Sequence, residues 1–192
     1  MGCSTITLKG MAVECLTTNG GVKNVYFVEH GKATITDTVV ETAETTGNHI
    51  INASDITMAS GAKFIAYHFA KHQGSLTTTT GESNGNKYWQ STLALQFNRM
   101  EGKKHLEIQA LALGELDALI EDYNGKVWFI GYDGYLSESA GNTTAQTGTA
   151  TDDLNGYSIS LTARNGYLPF EVKIDGSEEN AFASLISEPG NA

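Results

Sequence analysis

Lys87-Tyr-Trp-Gln-Ser-Thr-Leu-Ala-Leu-Gln-Phe97 sets Trp89, Leu93, Leu95 and Phe97 on one side and Tyr88, Gln90, Thr92 and Gln96 on the other. A period of two is the signature of a half-buried antiparallel strand. The stretch it opens, Lys87 to Ala163, decides the fold. Arg99 to Leu113 is rich in Met, Glu, Lys, Leu, Gln and Ala, with Ile108 its one β-branched residue, and predicts a helix. Leu119-Ile-Glu-Asp-Tyr-Asn-Gly-Lys-Val-Trp-Phe-Ile130 then places Asn124-Gly125 between two apolar runs. That pair suits a two-residue type I′ turn, which needs positive φ twice. Such a turn sets Tyr123 opposite Lys126, Glu121 opposite Trp128 and Leu119 opposite Ile130. Tyr157-Ser-Ile-Ser-Leu-Thr-Ala163 alternates again, with Tyr157, Ile159, Leu161 and Ala163 inward.

Outward from this centre the signals weaken. Residues 1–21 read as an N-terminal arm with a short alternation at Thr5–Leu8, ending in Asn19-Gly20-Gly21. Val22 to Glu29 is a strand. Gly31 to Gly61 is Thr-rich, with weak strand signals at Ala33–Thr36 and Asn48–Ile51; it reads as a functional loop or an arm that orders on a partner. Phe64 to Thr80, broken by Gly74, runs into the Lys87 strand and predicts a long hairpin, 64–97, with a polar tip. Residues 141–153 form a low-complexity loop, and residues 22–175 a single β domain. An acidic tail, 176–192, follows; its apolar patch at Ala181–Ile186 has more to bury than a solvated tail needs.

Composition narrows the functional classes. The chain has 192 residues, 40% hydrophobic and 18% charged, enough for one domain with a real core. Gly at 21, Pro at 2 and abundant Thr favour β structure. A net charge of −10 argues against sequence-independent binding to nucleic-acid phosphates, but suits a wall that DNA slides past. Cys3 and Cys15 offer neither a disulfide framework nor a metal tetrad. No run is long enough to span a membrane and no apolar leader opens the chain, so synthesis in the cytosol is expected.

Each candidate site has a plainer reading beside it. Gly81-Glu82-Ser83-Asn84-Gly85 matches the nucleophile-elbow pattern, but a strand follows where the elbow needs a helix, so it is a hairpin tip. His68 and His72 have ligand spacing and lack a third ligand nearby; ordinary strand histidines are the better reading. Glu115, Asp117, Glu121, Asp122 and Asp133 gather around the Asn-Gly turn without a complete calcium loop, and read as solvated or wall-lining acids. Trp89, Trp128, Tyr123, Tyr132 and Tyr135 would serve a sugar platform, or more simply a core or subunit interface. Asp152 and Asp153 are turn residues. No catalytic residue, cofactor or metal is expected, and the chain is not read as an enzyme.

The order of long hairpin, helix, Asn-Gly hairpin, polar loop and closing strand resembles the tail tube (major tail) proteins of long-tailed bacteriophages. By extension it resembles the inner-tube protein of type VI secretion. The local match is Ala118-Leu-Ile-Glu-Asp-Tyr-Asn-Gly-Lys-Val-Trp-Phe-Ile-Gly-Tyr132 followed by Leu154-Asn-Gly-Tyr-Ser-Ile-Ser-Leu-Thr162. The resemblance spans about Val22 to Val172 and implies a mainly β fold: an antiparallel sandwich or barrel with one flanking helix, about 99–113. It implies a virion protein, made in the host cytoplasm, whose hexameric rings stack into the tail tube through which DNA passes transiently and without specific binding. Its partners would be other copies of itself and tail components such as tape measure, terminator or sheath, with no membrane. Inter-ring contacts would fall on Thr79, Thr80, Gly81, Glu82, Ser83, Asn84, Gly85, Asn86 and Lys87, and tail docking on Phe182, Leu185 and Ile186. A head–tail ring, a head decoration protein or a carbohydrate-binding β-sandwich remain alternatives.

Overall fold

The computed structural model describes residues 18–46, 48–138 and 141–189. The expected strand at Thr5–Leu8 lies outside these residues. With 44% strand and 20% helix the chain is mainly β, as its alternation predicts. The first third runs β1 (Val22–Glu29), β2 (Ala33–Thr34), α1 (Asp37–Thr46), β3 (Ile50–Asn52), a 3-10 turn at Ala53–Asp55, β4 (Thr57–Met58) and β5 (Phe64–Tyr67). The middle holds β6 (Gly74–Ser83), β7 (Asn86–Asn98), α2 (Gly102–Leu113), β8 (Leu116–Asp122) and β9 (Val127–Ile130). Then follow β10 (Ser137–Glu138), β11 (Thr144–Gln146), β12 (Gly156–Asn165), β13 (Phe170–Lys173), α3 (Glu178–Leu185) and β14 (Ile186–Ser187).

Two sheets carry the architecture. A seven-stranded mixed sheet, in the order β14-β5-β1-β8-β9-β13-β3, curls into a half-barrel. A smaller antiparallel sheet, β10-β12-β7-β6 with β11 also on β12, faces it. Between them lies one core of Val25, Phe27, Leu93, Leu95, Ile120, Ile130, Tyr157, Ile159 and Leu161, closed at one side by Ile108 and Leu111 of α2. A second core lies on the other face of the large sheet. There Tyr26, Phe64, Leu119, Phe129, Phe170 and Val172 meet Val40, Ala43, Ile51, Ile56 and Leu185. The large sheet is therefore covered on both faces, which explains the unbroken burial of Val25–Val28 and Asp117–Ile120. Strands buried on both faces lose the polar alternation that marks a half-exposed strand.

The structure corrects several expectations. The hairpin of 64–97 is two pieces: β5 ends at Tyr67 and belongs to the large sheet, and the chain crosses at 68–73 to start β6 in the small one. The true long hairpin pairs Gly74 with Leu95 through Ser83 with Asn86. The helix begins at Gly102 rather than Arg99, because Arg99 takes a left-handed φ of 66° and its N–H is donated to Asn155 O. Gly31–Gly61 is not a loose arm: it supplies α1, pairs β3 in parallel with β13, and buries Val40, Ala43, Ile51 and Ile56.

The Asn124-Gly125 hairpin is real, but its register is one residue off the expected one. Glu121 opposes Val127, Ile120 opposes Trp128 and Leu119 opposes Phe129. Only Gly125 has positive φ, 77°, and Asn124 does not. Asp122 Oδ1 accepts the N–H groups of Asn124 (2.8 Å) and Lys126 (3.0 Å), favouring a three-residue loop that ends in a left-handed glycine. The two-residue turn with two positive φ values occurs instead at Asn84 (52°) and Gly85 (79°), between Ser83 and Asn86.

Candidate functional site

The hairpin tip carries the exposed polar residues that the sequence singled out. Thr79, Thr80 and Glu82 to Lys87 are exposed, and only Gly81 is half-covered, by the Tyr88 ring lying across it. The small sheet's third strand, β12, pairs with β7 only as far as Asn165 opposite Trp89. Beyond that point Gly81–Ser83 and Asn86–Tyr88 form a bare two-stranded ribbon. An isolated ribbon of this kind is marginal in water. One anchor at its base is Arg164, whose guanidinium stands 5.2 Å from the centroid of the Tyr88 ring. Ser83 ends β6, and the Asn84-Gly85 turn leads into a second strand, so the strand–turn–helix of a hydrolase elbow is not formed.

A cleft of about 530 Å³ opens between the sheets where β6 leaves the core. Ser75, Leu76 and Thr78 of β6 form one wall, and Val22, Ile120, Trp128, Leu168 and Pro169 the other. Trp128 Nε1 donates to Asp122 Oδ2 at 3.3 Å, and Asn19 is clipped to Asn124 by two hydrogen bonds, of 2.8 and 3.0 Å. Nothing in the sequence pattern marks this cleft, because its lining comes from segments far apart in the chain.

The remaining candidates do not converge. His68 and His72 lie on the crossing segment rather than on a strand; His68 Nε2 is 3.1 Å from Glu188 and His72 packs on the Tyr123 ring. Among the described residues no group of three His, Cys, Asp or Glu side chains could hold a metal. Of the proposed aromatic platform, Tyr132 meets Phe170 edge-on and Tyr167 at a tilt, Tyr135 lies tilted against His30, and Trp128 lines the cleft. They do not share one surface. Glu121 is held by Lys23 and Asn24, Asp133 accepts the Asn165 amide and the Gly166 N–H, and Asp153 caps the Thr149 and Ala150 amides. Of the tail residues, Leu185 is buried, Phe182 packs edge-on to Tyr26 at 5.9 Å, and Ile186 pairs with Phe64. The tail thus docks on its own chain.

Asp117 is the one acid of the group that is fully buried. Its Oδ1 lies 2.6 Å from His30 Nδ1, and its Oδ2 accepts the Gly31 N–H at 3.1 Å. Burial pushes its carboxyl up to about 6, against the opposing pull of His30 and the Gly31 amide. The folded state then holds this proton more tightly than the unfolded chain. Its contribution should destabilise the fold as pH rises from about 4 to about 6, and be constant above that. Asp117→Asn mimics the protonated form, so its stability relative to wild type should rise by ~2 kcal/mol between pH 4 and pH 7. Urea midpoints across that range would check this; a difference independent of pH would refute it.

No helix among the described residues is long and apolar enough to cross a membrane. No family model matches the chain, and comparison with curated proteins and with solved structures gives no significant match.

Proposed function

We propose that the protein is a virion structural subunit that self-assembles into stacked rings forming a phage tail tube. The observation that carries this reading is the bare ribbon at Gly81–Tyr88, which projects past its sheet and ends in an exposed polar turn. A ribbon that its own domain holds only at the base is suited to gain support from the next ring. Two further features agree. The solvent face of α2 shows Leu106 and Leu113 at 71% and 79% exposure, an apolar stripe that an assembled neighbour would cover. The net charge of −10 gives a surface that repels DNA phosphates, so DNA would pass through the lumen without sticking.

The test is to replace Thr79–Lys87 by a two-residue Asn-Gly turn. The variant should fold, form single rings or monomers, and give no long tubes in negative-stain images at concentrations where the parent forms them. Tubes of normal length from the shortened protein would remove the tip as a stacking element.

A further inference from the structure

The small sheet ends in a bare edge. β6 pairs with β7 from Gly74 to Ser83 in unbroken register, and no described strand pairs with its other side. Which backbone groups are left free follows from the base of the ladder. There Gln96 donates its N–H to Gln73 O at 2.9 Å, and the two residues stand opposite each other in the same register. Antiparallel strands alternate residues that turn both backbone groups to the partner with residues that turn both away. Ser75, Thr77, Thr79, Gly81 and Ser83 therefore face β7, while Gly74, Leu76, Thr78, Thr80 and Glu82 point their N–H and C=O outward. The 2.9 Å hydroxyl contact between Thr78 and Ser91 agrees, since opposed side chains come closest where the ladder bonds are absent. Over these ten residues no proline, lysine or bulge discourages a further strand.

We propose that the occupant is β6 of a second copy, added antiparallel about a two-fold axis at Thr78. Length selects it first. The other edge strands of the two sheets, β14, β3, β10 and β11, have two or three residues each, so only another β6 matches this edge. Complementarity then selects the register. Outward residues must oppose outward residues, which also keeps the side chains of each face together. Centring on Thr78 sets Gly74 against the partner's Glu82, Leu76 against the partner's Thr80 and Thr78 against its own copy, so that every outward group is paired. Thr77 then meets the partner's Thr79, a favourable cross-strand pair. Glu82, the one charged residue of β6, lies opposite glycine rather than opposite its own copy. The pairing joins two small sheets into one and covers both edges at once, as a two-fold interface does. This goes beyond the tail-tube reading and stands without it.

A residue on the axis meets its own copy, whereas a head-to-tail contact of the kind that builds rings sets different residues together. In a Cys3→Ser, Cys15→Ser background, Thr78→Cys should therefore cross-link two chains on mild oxidation, the paired Cα positions being about 5.5 Å apart. Thr77→Cys and Thr79→Cys should each stay uncross-linked alone and cross-link when mixed. No dimer from Thr78→Cys, or equal cross-linking of the three single variants, would overturn the proposal. A second measurement needs no cysteine. Thr78→Pro removes an N–H that β7 does not use but that the added strand requires. Sedimentation should show the parent as a reversible dimer and Thr78→Pro as associating about tenfold more weakly or less, with unchanged circular dichroism. A parent that stays monomeric at every concentration, or equal self-association of the two proteins, would also overturn it.

Discussion

Gly156→Ala should cost about 3 kcal/mol or more, a large share of the 5–15 kcal/mol typical of a domain. A Cβ at this position would stand 2.1 Å from the carbonyl oxygen of Phe97 and 3.0 Å from Asn98 Cα. Both are backbone atoms of β7, so no side chain can rotate away and the strands must part. They would part where Gly156 opposes Asn98, next to the buried Tyr157. Tyr157 also ties the sheet to the start of α2: its hydroxyl donates to Glu101 O at 3.1 Å and accepts the Glu101 N–H at 3.2 Å. Gly85→Ala is the control. Gly85 has a φ of 79°, but a Cβ there meets nothing within 4 Å, so its cost is conformational strain of ~1 kcal/mol. Urea denaturation of the three proteins, with unchanged slopes, would show the contrast. A Gly156→Ala midpoint no lower than that of Gly85→Ala would mean that β12 does not meet β7 as described.

How far the sequence reveals the fold depends on how each element is exposed. β7 and β12 each turn one face to partly exposed positions, so Leu93, Leu95, Phe97, Ile159 and Leu161 stand out against polar neighbours. The large sheet is buried twice over, and its strands leave no such contrast. α1 is harder still, since Asp-Thr-Val-Val-Glu-Thr-Ala-Glu-Thr-Thr has the β-branched content of a strand. Its threonines are reconciled to the helix locally: the hydroxyls of Thr42, Thr45 and Thr46 donate to the carbonyls of Thr38, Glu41 and Thr42. The Asn-Gly pairs of the two hairpin turns, 84–85 and 124–125, were separable only by a detail beyond the dipeptide, the carboxylate of Asp122 that captures two amides of its loop. The exposed tip was legible because polar, glycine-rich residues between strands have few other uses. The cleft and the contacts of Asp117 were not, because the cleft gathers residues 19–22, 75–78, 120–128 and 168–169, and Asp117 meets His30 and Gly31 across 87 and 86 residues.

Whether 31–61 orders without partners is the point on which composition and packing disagree most, and Val40→Asp decides it. Thr-rich composition suggests a segment that waits for a neighbour. Packing says that Val40 is 2% exposed and Ala43 4%, in a core with Ile51, Ile56, Phe64 and Phe129 on the far face of the large sheet. If α1 covers that sheet in the free subunit, an aspartate at Val40 buries an unpaired charge or pushes the helix off its seat. Either outcome costs several kcal/mol, enough to unfold a protein of ordinary stability or bring it near the threshold. Thr38→Asp, on the exposed side of the same helix and within its first turn, should change stability by no more than ~0.5 kcal/mol. Both variants are to be measured by thermal and urea denaturation at low concentration, so that assembly cannot supply the missing contacts. Equal stability of the two would mean that the segment leaves the sheet uncovered until a neighbour arrives, and that the second core forms only in the assembly.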